Sequence, residues 1–167
     1  ALGSPSVDEV NLRIEAAPIN PAEILIMEGK YASKPPLPAR LGIEGVGTIT
    51  AVGDGVQDFA VGDRVMSMGR ANWAQEIQVP ASTLIRVSTE ADLLQIGMLK
   101  VNPATAKFML DHYVDLKPGD WVVQNTGNSA VGRYLIQLAK PKGVHSINIV
   151  RREGLEQELT EIGADLV

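Results

Sequence analysis

Hydrophobic and polar positions alternate in the first half of the chain and take on helical spacing in the second. The segment "VNLRIEAAP" sets Val10, Leu12, Ile14 and Ala16 against Asn11, Arg13 and Glu15, the period-two pattern of a half-buried strand. The segments "FAVGDRVMSM" and "WAQEIQVP" predict two more strands around a Gly-Asp turn. Between "VNLRIEAAP" and "FAVGDRVMSM", the segment "GIEGVGTITAVGDGV" places glycine at positions 42, 45, 47, 53 and 55. Glycine weakens a strand unless the backbone must bend sharply or approach another backbone closely, so this spacing predicts a small, strongly curved, barrel-like sheet. Residues 1 to about 90 therefore read as short strands broken by turns.

The pattern changes near residue 90. "TEADLLQIGMLK" and "NPATAKFMLDHYV" have helical spacing, with Pro103 suited to a first helical turn. "LKPGDWVVQNT" predicts a turn and then a buried strand, "AVGRYLIQLAK" a helix, and "VHSINIV" a strand. "GLEQELTEIGADLV" predicts a helix leading into the start of another strand. Strand, helix, strand, helix, strand with short connections is the pattern of a parallel, doubly wound α/β sheet. The expected organisation is a curved β domain over residues 1–100, followed by a linker helix and the first part of a nucleotide-binding sheet over residues 101–167.

Composition narrows the chemistry. Aromatic residues make up only 4% of the chain, so Val, Ile, Leu and Ala must form the core. The formal charge of −5 gives no electrostatic basis for binding nucleic acid or an anionic membrane, and neither is expected as a partner. No apolar run reaches the roughly 20 residues of a membrane-spanning helix. The absence of cysteine excludes disulfides, thiolate nucleophiles and sulfur-ligated zinc. The only histidines, His112 and His145, fall near a helix end and in a strand, where a structural role is expected.

The chemistry concentrates in "QNTGNSAVGRYL". A strand, a glycine-containing turn and a helix amino terminus form an anion site, because free N–H groups and the helix dipole both favour a phosphate. Gly127 and Gly132 occupy the first and last glycine positions of the dinucleotide fingerprint G-x-G-x-x-G, and Ser129 takes the middle one. A plain structural turn accounts for the same residues. The second strand, "INIV", runs into Arg151 and Arg152 where NAD-selective folds carry an acid for the ribose hydroxyls. Guanidinium groups there would pair with a 2′-phosphate, which predicts NADPH as the cofactor. A solvated basic pair opening the next helix is the alternative.

A glycine-rich curved sheet followed by a dinucleotide fold is the order of the medium-chain dehydrogenase/reductase superfamily, and "GIEGVGTITAVGDGVQDFAVGDRV" resembles its signature segment. The resemblance implies a GroES-like β-barrel domain and a partial Rossmann sheet. Ile43 stands where the zinc-dependent branch has a histidine ligand, so no metal is expected. Within the zinc-free branch, "APINPAEILIMEGKY", "LKVNPATAKFML", "WVVQNTGNSAVG" and "INIVRR" resemble segments of the trans-2-enoyl thioester reductases of fatty acid synthesis. The Asn-Pro and Gly-Asp-Arg-Val segments are shared with quinone oxidoreductases. "QNTGNSAVG" with "NIVRR", and the tyrosine after "EGK", are more specific to the enoyl reductases.

That resemblance implies a role for Tyr31, which proline and glycine on both sides place in a loop. The family uses a tyrosine at this position as a proton donor. Hydride addition at Cβ of an enoyl thioester leaves an enolate that needs a proton at Cα, and a phenol holds its proton at neutral pH. A tyrosine packed on a cleft rim is the alternative. The resemblance also implies that Asn102 contacts the nicotinamide side, that Asn128, Ser129, Ala130 and Val131 line the pyrophosphate, and that Arg151 holds the 2′-phosphate. Arg152 replaces an acidic residue of some relatives, and Ala130 replaces a common glycine, so its methyl is expected to crowd the pyrophosphate slightly.

A complete dinucleotide fold has further strands after "ADLV", and relatives carry a strand ahead of "DEVNLRIEAAPIN". The sequence is thus expected to be part of a longer enzyme, with the acyl pocket and a homodimer interface in the remainder. The implied substrate is an enoyl thioester of CoA or acyl-carrier protein. The implied location is intracellular, mitochondrial in a eukaryote and cytoplasmic in a bacterium. Two other readings stay open: a zinc-free NADPH quinone oxidoreductase, and a catalytically silent NADPH-binding protein.

Overall fold

The first alternating stretch folds as β1 (Glu9–Ala16) in the computed structural model, which describes residues 2–167. β1 is flanked on both sides. It pairs antiparallel with β2 (Val46–Val52) and with β4 (Glu76–Pro80), while β2 pairs with β3 (Arg64–Ser67) and β3 with β5 (Leu84–Arg86). The five-stranded order is β4-β1-β2-β3-β5. The register between β1 and β2 shifts at Asn11/Leu12 and again at Ile14/Ala16, and such bulges bend and twist a strand. Gly47 shows why β2 needs glycine: a Cβ there would lie 2.1 Å from the Arg13 carbonyl oxygen. Val10, Leu12, Ile49, Val65, Ile77 and Leu84 form the core of this first unit, which ends at Lys100.

Two elements of this unit depart from the all-strand expectation. α1 (Pro21–Met27) is a helix. Asn20 precedes it, Pro21 opens it, and Glu23 at the third position reaches back to the Asn20 N–H (2.7 Å), a reciprocal cap that starts a short helix. β5 was not expected either, because three residues after a 3₁₀ turn are too few to show a period. The expected helix over "TEADLLQIGMLK" forms only as α2 (Leu93–Gly97), capped by the Asp92 carboxylate on the Gln95 N–H (2.9 Å).

The second unit runs from Val101 to Val167. α3 (Asn102–Asp111) is followed by β6 (Trp121–Asn125), α4 (Ala130–Ala139), β7 (His145–Ile149) and α5 (Glu156–Glu161). β6 and β7 pair in parallel, and Leu166 returns beside Ile147 in a parallel bridge, where the expected next strand begins. Ala106 and Leu110 of α3 pack with Leu135 and Ala139 of α4 and with Val144, and Val122 of β6 packs against this cluster. Among the described residues β6 is an edge strand, paired on one side only, by β7. Only its Val122 face is covered, whereas Trp121 is 50% and Val123 63% exposed. Trp121 instead stacks on the His145 ring, with centroids 4.7 Å apart.

Asp165 fastens the returning segment to β7. One of its oxygens meets His145 Nδ1 and the other accepts the Ser146 N–H, both at 2.8 Å. These bonds, the histidine contact first, hold the carboxyl below its ordinary range. A depressed carboxyl stabilises the fold above its unfolded pKa, and that stability is lost as pH falls through the lower folded value. Asp165→Asn is therefore expected to lower Tm at neutral pH, and the gap to wild type should close as pH falls through and below the ordinary carboxylate range. A gap in Tm that stays constant through acid titration would contradict this assignment.

Candidate functional site

The turn after β6 is built around close backbone approach. Thr126 takes a left-handed conformation (φ 54°), and the Gly127 N–H donates to the Ile149 carbonyl at the end of β7 (3.1 Å). A Cβ on Gly132 would come within 2.5 Å of the Gly127 carbonyl oxygen, and one on Gly127 within 2.8 Å of the Asn148 Cβ. The two fingerprint glycines are thus required by the turn and by its contact with the second strand. Ser129 caps α4, its hydroxyl accepting the Gly132 N–H at 3.1 Å. The first N–H groups of α4, at Ala130 and Val131, have no intrahelical partner by construction and lie at the positive end of the dipole.

A polar network holds this loop. Gln124 Nε2 donates to the Gly132 carbonyl (3.0 Å) and to Asn148 Oδ1 (2.6 Å). The fully buried Asn148 in turn donates to Ser146 Oγ and to the Leu166 carbonyl. Sequence reading missed Gln124 and Asn148. Their signal was present, as polar residues within the strand segments "WVVQN" and "HSINI".

Arg151 and Arg152 are exposed just past β7, on the side where the Gly127–Ile149 bond joins loop to strand. Neither makes an ion pair among the described residues. The loop Asn128–Val131 and the arginine pair therefore share one end of the parallel strands, and the cradle fits a phosphorylated dinucleotide. Asn102 is half-buried and opens α3, which packs on α4.

Tyr31 belongs to the first unit. α1 ends at Glu28, Gly29 turns left-handed (φ 69°), and the N–H groups of Lys30 and Tyr31 both reach the Leu25 carbonyl (2.8 and 3.1 Å). The Tyr31 ring is half-buried, and its hydroxyl makes no hydrogen bond among the described residues. Beneath this loop lies a carboxylate network absent from the sequence reading. Glu23, fully buried, accepts the Asn20 and Ile43 N–H groups, each at 2.7 Å, and Asn20 Nδ2 donates to the equally buried Glu44 (3.0 Å). Lys100 then ties two loops together, its ammonium donating to the carbonyls of Ile43 (2.5 Å), Met68 (2.9 Å) and Gly69 (2.7 Å). Ile43, at the position of the superfamily's metal-ligating histidine, is thereby engaged through both its backbone N–H and its carbonyl. The Asn-Pro-Ala-Glu capping pattern could have located Glu23 in advance.

Comparison with known proteins bears on both units. The alcohol dehydrogenase GroES-like domain family matches residues 6–89, half of the chain. The mitochondrial enoyl-[acyl-carrier-protein] reductase of Xenopus tropicalis is 39% identical over 98% of this chain, which covers 48% of that protein. Etr1p of Candida tropicalis, solved with NADP and crotonyl-CoA, superposes with a TM-score of 0.90 at 32% identity, over 98% of this chain and 52% of its own; it is also known in a heterodimer with Etr2p. A quinone oxidoreductase of Pseudomonas syringae superposes with a TM-score of 0.87 over 99% of this chain and 51% of its own, at 27% identity. The chain thus spans about half the length of the relatives it matches.

Proposed function

The chain belongs to the medium-chain dehydrogenase/reductase superfamily through its alcohol dehydrogenase GroES-like domain, and from that premise we propose that it is part of an NADPH-dependent trans-2-enoyl thioester reductase. One observation carries the reading: the glycine turn opening α4 is bonded to the end of β7, one residue before the step into Arg151 and Arg152. Asn128, Ser129, Ala130 and Val131 would hold the pyrophosphate, Arg151 the 2′-phosphate with Arg152 beside it, and Asn102 the nicotinamide side. NADPH, when bound, supplies a hydride for Cβ of the substrate.

The chain's own residues supply binding and the proton. Tyr31 would donate from its hydroxyl to Cα, and its exchange with water would restore the proton. The network of Asn20, Glu23 and Glu44 fixes the helix from which the Tyr31 loop departs. The substrate class is an enoyl thioester of CoA or acyl-carrier protein, consistent with the crotonyl-CoA complex of Etr1p. Dimerisation of the full-length protein is supported by the Etr1p/Etr2p pair and a mitochondrial location in a eukaryote by the mitochondrial relatives, and a pair of identical chains is our reading.

The likeness to the Pseudomonas syringae quinone oxidoreductase supports a second reading, in which the same cofactor reduces a quinone and Tyr31 serves no acid role. NADPH oxidation by the full-length protein, measured with crotonyl-CoA and with a soluble quinone, separates the two. Turnover of crotonyl-CoA is expected. Turnover of the quinone alone would sink the proposal, and turnover of neither would leave a silent nucleotide-binding protein.

A further inference from the structure

The first unit holds a second basic feature, and the mechanism above does not use it. A cavity of about 110 Å³, the size of a small oxyanion, is lined by Arg40 and Arg70 together with Glu23, Ile26, Ser33 and Ile43. Both guanidinium-bearing residues are exposed at its mouth, and neither makes a hydrogen bond or ion pair among the described residues. Glu23, the acid in the wall, accepts an N–H on each oxygen, at 2.7 Å, and the two backbone donors offset part of its charge. The chain as a whole is acidic, with 20 acids against 15 Lys and Arg, yet residues 29–43 carry Lys30, Lys34 and Arg40 and no acid. Burial first, and then the charge of Arg70, hold the Lys100 ammonium below its ordinary pKa, against an opposing pull from Glu44.

Two arginines without ion-pair partners among the described residues line one small cavity, and guanidinium groups are suited to a phosphate or similar oxyanion. The cavity wall is also the loop that carries Tyr31, since Ser33 and Pro35 line the cavity just past that residue. We propose that Arg40 and Arg70 form an anion subsite for a phosphate group on the carrier portion of the thioester substrate. This rests on the enoyl thioester reading, because both CoA and the prosthetic arm of acyl-carrier protein present phosphate esters. Recognition at this point would hold the carrier by charge while leaving the acyl end to other residues.

The test compares wild type with Arg40→Gln, Arg70→Gln and the double variant in the full-length protein. Calorimetric titration of the NADPH-saturated protein with pyrophosphate, the loop at Asn128–Val131 being already occupied, reads the subsite without any turnover, and binding should weaken about ten- to hundredfold in the double variant. KM for crotonyl-CoA should rise by a similar factor, while crotonyl-pantetheine, which has no phosphate, should keep its wild-type kcat/KM. Crotonyl-phosphopantetheine locates the source. A rise in KM matching that of crotonyl-CoA assigns the phosphate next to pantetheine, shared by both carriers, and a rise for CoA alone assigns the nucleotide phosphates. Equal losses for crotonyl-pantetheine, or pyrophosphate binding indifferent to both arginines, would overturn the subsite. Pyrophosphate binding that depends on the arginines, with no turnover of any enoyl thioester, would leave an anion site but refute its assignment to a thioester carrier.

Discussion

Tyr31→Phe is expected to lower kcat on an enoyl thioester by about 10²–10⁴-fold, the range for removing a general acid. The substitution deletes one oxygen and keeps the ring. The backbone N–H that docks Tyr31 onto the Leu25 carbonyl is untouched, and the hydroxyl has no hydrogen bond among the described residues to lose, so the loop should keep its shape. NADPH affinity should stay near wild type, because the loop at Asn128–Val131 belongs to the other unit. Water can still protonate an enolate slowly, so a small residual rate is expected. Steady-state kinetics with crotonyl-CoA decide the matter. A variant that retains wild-type kcat would make Tyr31 a rim residue and move the quinone reductase reading ahead.

Arg151→Ala is expected to weaken NADPH binding about ten- to hundredfold, the equivalent of about 1.5–3 kcal/mol for one charge-assisted contact. NADH affinity should barely change, since NADH has no 2′-phosphate for the guanidinium to meet. The residue is exposed and without an ion-pair partner among the described residues, so its loss should leave Tm unchanged. Fluorescence titration with both nucleotides gives the result. If wild type binds NADH as tightly as NADPH, the assignment of Arg151 to the 2′-phosphate is wrong.

The parts of this molecule legible in its sequence were those with a repeating physical signal. Alternation located β1, and the strand, glycine turn and helix over residues 121–139 could be placed because hydrophobic period and turn chemistry agree there. Tertiary context settled the rest. No helix was expected before residue 90, but Pro21, with Asn20 and Glu23 around it, starts one. β6 read as buried because Trp121 and Val123 are apolar, and among the described residues only its Val122 face is covered; coverage depends on which elements pack on each face, and the strand's own sequence does not encode that. For the site, residue type pointed to Tyr31 and Arg151. The supporting bonds of Glu23, Gln124, Asn148 and Lys100 join positions far apart in the chain, and no local window displays them.

The central claim is that this chain serves the reduction of an enoyl thioester with its proton delivered at Cα. Mass spectrometry of the product formed from crotonyl-CoA and unlabelled NADPH in D₂O, using the full-length protein, tests it most directly. The account predicts butyryl-CoA carrying one deuterium, located at Cα, and a Tyr31→Phe protein that forms the same product far more slowly. No butyryl-CoA, with NADPH consumed only when a quinone is present, would contradict it.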